Sequence, residues 1–164
     1  ATMSNPASEL AELLKARGWR LATAESCTGG CMAARLTDLA GSSAWFDCGF
    51  VSYSNESKTN MLGVAENTIN AYGAVSEETA RAMAVGALQN SKADIAVSVT
   101  GIAGPSGGTP AKPVGLVYTG YALRHKNKAE TLKHNFSGGR EDVRAQTTDA
   151  AIAHLISLME SHDE

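Results

Sequence analysis

The 164-residue sequence has no long apolar run and no strongly basic stretch. Its apolar stretches fall short of the about 20 residues that a helix needs to cross a bilayer, so a membrane-spanning protein is not expected. Lysine and arginine never occur five in a row, and 14 basic against 17 acidic residues give a formal net charge of −3. We therefore expect no nucleic-acid partner, and the densest basic stretch, residues 124–128, is typical of a solvated hairpin turn.

Cysteine and histidine are also few and widely spaced. The three cysteines are an odd number and include no C-x-x-C pair, so free thiols are predicted rather than disulfides or a zinc site. The four histidines form neither an H-E-x-x-H motif nor a cluster with cysteine. The three cysteines are Cys27, Cys31 and Cys48, and the four histidines are His125, His134, His154 and His162. Their spacing favours chemistry without a metal or cofactor.

The beginning of the sequence lacks the basic segment and apolar stretch of a secretory signal, which favours a cytoplasmic protein. Ala1 and Thr2 precede Met3 and are typical of residues added for expression, so residues 1–4 are expected to be disordered or expression-derived. A composition of 43% hydrophobic and 19% charged residues fits a globular chain, and its length predicts one domain over residues 1–164.

Hydrophobic periodicity and turn residues predict helices and strands that alternate through the first two thirds of the chain. A hairpin and a last helix follow, which predicts a three-layer α/β/α architecture with a mixed central sheet. The predicted helices start at Pro6, Cys31, Glu56, Ser76 and Asp142, and the predicted strands are Arg20–Glu25, Phe46–Tyr53, Ile95–Val99, Val114–Leu123 and Glu130–Phe136.

Two glycine-rich segments are candidates for ligand contact. Thr28-Gly29-Gly30 follows a predicted strand, and Gly101–Pro113 is the only long stretch without periodicity. Neither fits G-x-x-x-x-G-K-[ST] or G-x-G-x-x-G, so the common nucleotide fingerprints are excluded. Their backbone amides can approach an anion closely because glycine has no side chain in the way, although ordinary tight turns use glycine equally often.

Ser26 lies where a predicted strand passes into a helix. It has two interpretations, a helix cap or a nucleophile whose oxyanion would be held by amides at the helix start. The segment Glu-Ser-Cys-Thr-Gly-Gly is not a G-x-S-x-G elbow, and no local feature links a histidine to it. The identity of a base decides between the two interpretations.

Lys58 is the best candidate for that base, because a buried lysine with a lowered pKa is a neutral amine that accepts a proton. Tyr53 is close enough in sequence to donate a hydrogen bond or relay a proton in the same pocket. Most lysines are simply solvated, and Cys27 is a rival nucleophile, so the residues alone leave these alternatives open.

A set of ordered motifs from about Leu10 to Leu158 resembles the CinA C-terminal domain family. The motifs are AESCTGG at residues 24–30, YSN at 53–55 with Lys58, LGV at 62–64, GAVS at 73–76, VTGIAGP at 99–105, GGT at 107–109 and KPVG at 112–115. Stand-alone members of this length are nicotinamide-nucleotide amidohydrolases. The resemblance also implies that the N-terminal domain of full-length members, with any pyrophosphatase activity, is absent.

The resemblance implies Ser26 as nucleophile, Lys58 as general base and Tyr53 as a pocket residue. It also implies hydrolysis of the carboxamide of nicotinamide mononucleotide (NMN), a homodimer, no cofactor, and the substrate-contacting or oxyanion residues Thr28, Gly29, Gly30, Thr100, Gly101, Gly104, Gly107, Gly108 and Arg140. One departure is Gly139, where family members commonly have aspartate. A nucleotide-binding regulatory or interaction protein without turnover is the alternative function.

Overall fold

The computed structural model describes residues 6–161, so the predictions for residues 1–4 lie outside the described residues. The described chain forms helices α1 (Pro6–Arg17), α2 (Cys31–Thr37), α3 (Asn55–Leu62), α4 (Glu66–Tyr72), α5 (Glu77–Gln89) and α6 (Arg140–Ser161), with a 3₁₀ turn at Ser42–Ala44. Its strands are β1 (Leu21–Glu25), β2 (Phe46–Val51), β3 (Ile95–Gly101), β4 (Leu116–Leu123) and β5 (Lys128–Asn135).

The five strands form one mixed sheet in the order β2-β1-β3-β4-β5. β1 pairs in parallel with both β2 and β3, whereas β3–β4 and β4–β5 are antiparallel. The carboxyl ends of β1, β2 and β3 therefore meet at one edge of the sheet. From β1 the chain first crosses to β2 on one side and then returns to form β3 on the other side. Ligands of open α/β sheets bind in the crevice that such a reversal leaves at the carboxyl ends of the strands.

Alternate residues of β1 enter different cores, because successive side chains of a strand point to opposite faces. Leu21 packs with α1, α2 and α6, while Ala22 and Ala24 pack with α3, α4 and α5. Each face of the sheet thus carries its own hydrophobic core and helical layer. The predicted three-layer α/β/α fold with a mixed sheet is confirmed.

Helix α4 and the 3₁₀ turn at Ser42–Ala44 are the elements that the sequence pattern did not predict. Helix α4 has seven residues and buries only Ile69, so it has no apolar stripe at helical spacing. The other differences are shifts of element ends. For example, β4 begins at Leu116 rather than Val114, and α6 begins at Arg140 rather than Asp142.

The basic stretch at residues 124–128 joins β4 to β5, which confirms the predicted hairpin. Arg124 has a structural role in addition to its exposure to solvent. Its guanidinium donates hydrogen bonds to Leu88 O (2.6 Å) and Ala93 O (2.8 Å). The cation therefore lies at the carboxyl end of α5, where the helix dipole favours positive charge.

Candidate active site

Ser26 follows the last residue of β1 and lies at the shared carboxyl edge of the parallel strands. Its backbone N–H donates to Val99 O of β3 at 3.1 Å, so the strand register fixes the residue. The chain then turns through Gly29 and Gly30, whose φ angles of 58° and 102° are in the left-handed region that glycine adopts without strain. The serine is thus presented between a sheet edge and the start of α2.

Lys58 reaches the same edge from α3. Ser54 caps that helix by accepting a hydrogen bond from Ser57 N at 3.0 Å, and Lys58 and Leu62 are its buried face. The lysine is only 1% exposed, although lysines are almost always on the surface. Its Nζ lies 3.0 Å from Ser26 Oγ.

Two backbone carbonyls complete the surroundings of the Lys58 amine. Nζ lies 3.0 Å from Ser52 O and 3.2 Å from Tyr53 O, both just after β2. A neutral amine has two N–H donors and one lone pair. This arrangement suits it, because the two N–H groups can donate to the carbonyls while the lone pair accepts the Ser26 hydroxyl proton.

Burial also disfavours the charged form of Lys58. Removal from water lowers the pKa of its ammonium group, and a smaller opposing contribution comes from Cys27. In the described part of the chain, no carboxylate forms an ion pair with this lysine. The site therefore favours an amine that can act as a base.

Cys27, the rival nucleophile, is buried beside Ser26 with 6% of its surface exposed. Burial raises the pKa of its thiol to about 11. Because the thiolate is the nucleophilic form, a thiol with this pKa is almost fully protonated and weakly reactive near neutral pH. The geometry and the charge both favour the serine over the cysteine.

A cavity of about 200 Å³ opens beside the serine and the lysine. Six residues from the sequence predictions line it, namely Ser26, Tyr53, Lys58, Thr100, Gly101 and Arg140. Cys27, Asn55, Ala74, Val75 and Ala103 complete the lining. The structure thus brings together the predicted catalytic residues with one end of the Gly101–Pro113 segment.

The remaining predicted residues lie outside this lining. Gly29 N–H donates to Ser26 O at 3.0 Å, and Gly30 N–H donates to the Glu25 carboxylate at 3.2 Å. Thr28 also donates to Glu25, through its hydroxyl at 2.6 Å. These three residues shape the turn, while Gly104, Gly107 and Gly108 follow in the neighbouring loop.

Arg140, the first residue of α6, connects two segments at the mouth of the cavity. Its guanidinium donates to Gly104 O at 2.8 Å and to the Tyr53 hydroxyl at 2.9 Å. Lys112 holds the far end of the same loop, because its ammonium group donates to Tyr72 O at 2.7 Å. The predicted irregular loop is therefore anchored at both ends by cations bound to carbonyl oxygens.

Thr100 and Asn55 add polar groups to the cavity. The Thr100 hydroxyl donates to Ala74 O at 2.8 Å, which leaves its oxygen lone pairs as acceptors. Asn55 is the exposed first residue of α3; it belongs to the YSN motif, but no role in the site was predicted for it. No role was predicted for the Ser52 carbonyl or the Glu25 side chain either. A contact through a backbone carbonyl gives no side-chain signal in the sequence, whereas Glu25 is recognisable as a member of the AESCTGG motif.

Gly139 lies in the turn before α6, and its φ is outside the left-handed region. A Cβ built there would meet Asp142 Oδ2 at 3.7 Å, an ordinary contact distance. The left-handed residue of this turn is instead Gly138, with φ of 101°. The turn that precedes Arg140 therefore does not depend on glycine at position 139.

A larger cleft of about 470 Å³ lies between α3 and α4. It is lined by carboxamide, hydroxyl and carboxylate groups, including Asn60, Glu56 and Glu66. Within residues 6–161, no group of three or more histidine, cysteine, aspartate or glutamate side chains is arranged to hold a metal ion. The paired nucleophile and base are in the smaller cavity, which is the candidate active site.

Known proteins have sequences and structures related to those of this chain. Nicotinamide-nucleotide amidohydrolase PncC from Enterobacter agglomerans is 55% identical over 138 residues, which are 84% of this chain and 84% of that protein. PncC from Escherichia coli (strain K12) is 51% identical over 147 residues, 90% of this chain and 88% of that protein.

A solved structure has a similar fold. The CinA superfamily protein from Klebsiella pneumoniae superposes with a TM-score of 0.91 and 40% sequence identity, covering 95% of this chain and 96% of that one. The profile of the CinA C-terminal domain family matches residues 3–159. The chain belongs to the CinA C-terminal domain family.

Proposed function

We propose that this protein is a nicotinamide-nucleotide amidohydrolase that converts NMN to nicotinic acid mononucleotide and ammonia by a serine–lysine mechanism. The names of the relatives supply the substrate class. The observation that carries the mechanism is the 3.0 Å distance between Lys58 Nζ and Ser26 Oγ, inside a cavity and away from any carboxylate ion pair in the described chain.

In the first step, neutral Lys58 takes the hydroxyl proton as Ser26 Oγ bonds to the carboxamide carbon of the substrate. The C=O electron pair moves onto oxygen and gives a tetrahedral oxyanion. Collapse of this intermediate breaks the C–N bond, and the Lys58 ammonium returns its proton to the departing nitrogen. Ammonia leaves, and the nicotinoyl group remains as an ester on Ser26.

The oxyanion needs preorganised donors, and one donor is worth about 3 kcal/mol in comparable acyl-transfer sites. Of the amides in the turn, those of Gly29 and Gly30 already have acceptors. Cys27 lines the cavity, and its N–H donates to no other residue in the described chain. The amide after a nucleophile is a common oxyanion donor, so we assign this role to Cys27 N–H, with Thr28 next to it.

The second half of the reaction repeats the proton path with water in place of serine. Lys58 takes a proton from water as its oxygen attacks the ester carbon, and the same donors hold the second oxyanion. The C–O bond to Ser26 then breaks, Lys58 returns the proton to Ser26 Oγ, and nicotinic acid mononucleotide is released. The amine is thus ready for another turnover.

Tyr53 and Thr100 are placed to orient the carboxamide of the substrate. Tyr53 accepts a hydrogen bond from Arg140, which leaves its own O–H free to donate into the cavity. Thr100 presents oxygen lone pairs that can accept the substrate N–H. A donor and an acceptor beside the reacting carbon match the two ends of a primary amide.

We assign substrate phosphate and ribose to Arg140 and the Gly101–Thr109 loop at the cavity mouth. The Arg140 guanidinium binds only neutral acceptors, Gly104 O and the Tyr53 hydroxyl, among the described residues, so its charge is not neutralised there. A planar guanidinium also matches the geometry of a phosphate group. The nicotinamide ring would then occupy the small cavity, with the rest of the nucleotide toward solvent.

Arg140→Lys tests this orientation. Loss of the fork should raise KM for NMN about 10- to 100-fold, as expected for a charge-assisted hydrogen bond worth roughly 1.5–3 kcal/mol. Turnover of nicotinamide riboside, which lacks the phosphate, should change little. Steady-state kinetics on both substrates measures the effect, and Arg124→Lys at the distant hairpin is the matched control. An unchanged KM for NMN would remove Arg140 from the phosphate site.

Ammonia release from NMN is the direct test of the function. The purified protein should produce ammonia and nicotinic acid mononucleotide in equal amounts without added metal. If calorimetry detects binding of NMN but no ammonia is formed, the alternative of a nucleotide-binding protein without turnover is correct. If NMN neither binds nor reacts, the proposed substrate is wrong.

We further propose that the protein acts in pyridine-nucleotide recycling as a cytoplasmic homodimer without a nucleic-acid partner. No described helix is both long and apolar enough to cross a membrane, and β2 is an edge strand with an unpaired side that a second copy can cover. Sedimentation equilibrium should return twice the chain mass of 17.0 kDa. A single-chain mass at micromolar concentration would contradict the dimer.

A further inference from the structure

The side chain of Glu25, immediately before Ser26, has a role that the reaction steps above do not use. Glu25 is 1% exposed at the end of β1. Its Oε1 accepts hydrogen bonds from the Thr28 hydroxyl (2.6 Å), Met32 N (2.9 Å) and Gly30 N (3.2 Å). Its Oε2 accepts from Ala33 N at 3.0 Å. Four donors thus converge on one buried carboxylate.

Three of these donors are backbone amides at the beginning of α2, where a helix has N–H groups without intrahelical partners. The carboxylate satisfies them and lies at the positive end of the helix dipole. In the described chain no lysine or arginine forms an ion pair with Glu25. The first turn of α2 and the Thr28 hydroxyl therefore supply the donors that compensate its burial.

This arrangement fixes the nucleophile from both sides. Before Ser26, the strand ladder holds the backbone through the bond to Val99 O. After Ser26, Thr28, Gly30 and Met32 at the start of α2 are held by their hydrogen bonds to the Glu25 carboxylate. The two restraints keep Ser26 Oγ at 3.0 Å from Lys58 Nζ.

We propose that Glu25 is the positioning residue of the nucleophile. It closes the turn around Ser26 and occupies the amino end of α2, so that this helix end binds an internal carboxylate rather than the substrate. The oxyanion is consequently left to amides of the turn that have no internal acceptor. This inference rests on the proposed function, because it takes Ser26 as the nucleophile and uses NMN as one of two probes.

Glu25→Gln tests the proposal, because glutamine has nearly the same shape but replaces one acceptor oxygen with an NH₂ donor that faces backbone N–H groups. We expect kcat for NMN to fall about 100-fold, the loss that a 1 Å misplacement of reacting groups produces, while KM stays within about twofold. A smaller folded fraction would also lower the apparent kcat without changing KM, so kcat is calculated per folded molecule, with the folded fraction measured by circular dichroism.

A second probe separates failure of the proposal from failure of the proposed substrate. p-Nitrophenyl acetate acylates an activated serine without needing a nucleotide site, and its burst of p-nitrophenol should slow in the variant by a similar factor. If wild-type protein shows the burst but releases no ammonia from NMN, the substrate assignment is wrong and the burst rate alone decides the role of Glu25.

Asp94→Asn is the matched control. Asp94 accepts a hydrogen bond from Arg20 N at 2.9 Å, beside the opposite end of β1, so it holds backbone without contact with the cavity. Its kcat and burst rate should equal those of wild type. If Glu25→Gln does not fold, Glu25→Asp keeps the charge with a shorter reach and should lower both rates. Rates within twofold of wild type in a folded Glu25 variant, or a change in KM alone, would overturn the proposal.

Discussion

Ser26→Ala should lower the rate of ammonia release from NMN by at least about 10³-fold, because no other hydroxyl or thiol can replace the attacking oxygen. Cys27 is adjacent, but burial raises the pKa of its thiol to about 11, so it is a poor substitute near neutral pH. The substitution removes one side-chain oxygen and leaves the hydrogen bonds between the strands intact. KM for NMN should therefore change little, and initial-rate kinetics measures both quantities.

The matched control for Ser26→Ala is Ser98→Ala. Ser98 is a buried serine on the neighbouring strand β3, and its hydroxyl donates to Ala80 O at 2.5 Å. Removing that hydroxyl should reduce stability, because a buried hydrogen bond between β3 and α5 is lost, while kcat is retained. Activity near the wild-type level in Ser26→Ala, with the mass of the purified variant verified, would exclude this serine as the nucleophile.

Lys58→Met should lower kcat/KM by about 10²- to 10⁴-fold, the contribution of a positioned general base. Wild-type activity should depend on pH in one direction. Only the neutral amine accepts a proton, so the rate should rise as pH increases through the pKa of Lys58 and then level off. Burial lowers that pKa, and the plateau therefore begins at lower pH than for a solvated lysine.

Lys58→Arg is the companion variant. Its guanidinium keeps a cation and N–H donors near Ser52 O and Tyr53 O, but it remains protonated throughout the accessible pH range. It should be as inactive as Lys58→Met at every pH, whereas a solely structural lysine would be rescued by arginine. A flat wild-type profile between about pH 6 and 9 would argue against a lysine base.

Much of the fold follows from local sequence patterns. Leu10 and Leu14 repeat at helical spacing and form the buried face of α1, and the apolar run at Ile95–Val99 is a strand covered on both sides. Helix α4 was not predictable in this way, because its burial depends on the single contact residue Ile69 rather than on a stripe.

The candidate site was also predictable only in part. The position of Ser26 between strand and helix was recognisable and Lys58 was a candidate base, and the resemblance to the family chose this pair among the alternatives. No spacing rule could establish that these side chains, 32 residues apart, are within hydrogen-bond distance, because strand order determines which sheet-edge residues meet. The contacts of the Ser52 and Tyr53 carbonyls with the Lys58 amine could not be predicted either. Every residue has a backbone carbonyl, and only the fold determines which two of them point at one amine.

The position of Arg140 at the start of the last helix has a consequence for the order in which the enzyme is completed during synthesis. Ser26 and Lys58 leave the ribosome early, whereas Arg140 can dock against Tyr53 and Gly104 only when α6 packs against the finished sheet. A nascent chain therefore contains Ser26 and Lys58 well before Arg140, so the contact that we assign to the substrate phosphate is the last part of the proposed site to form.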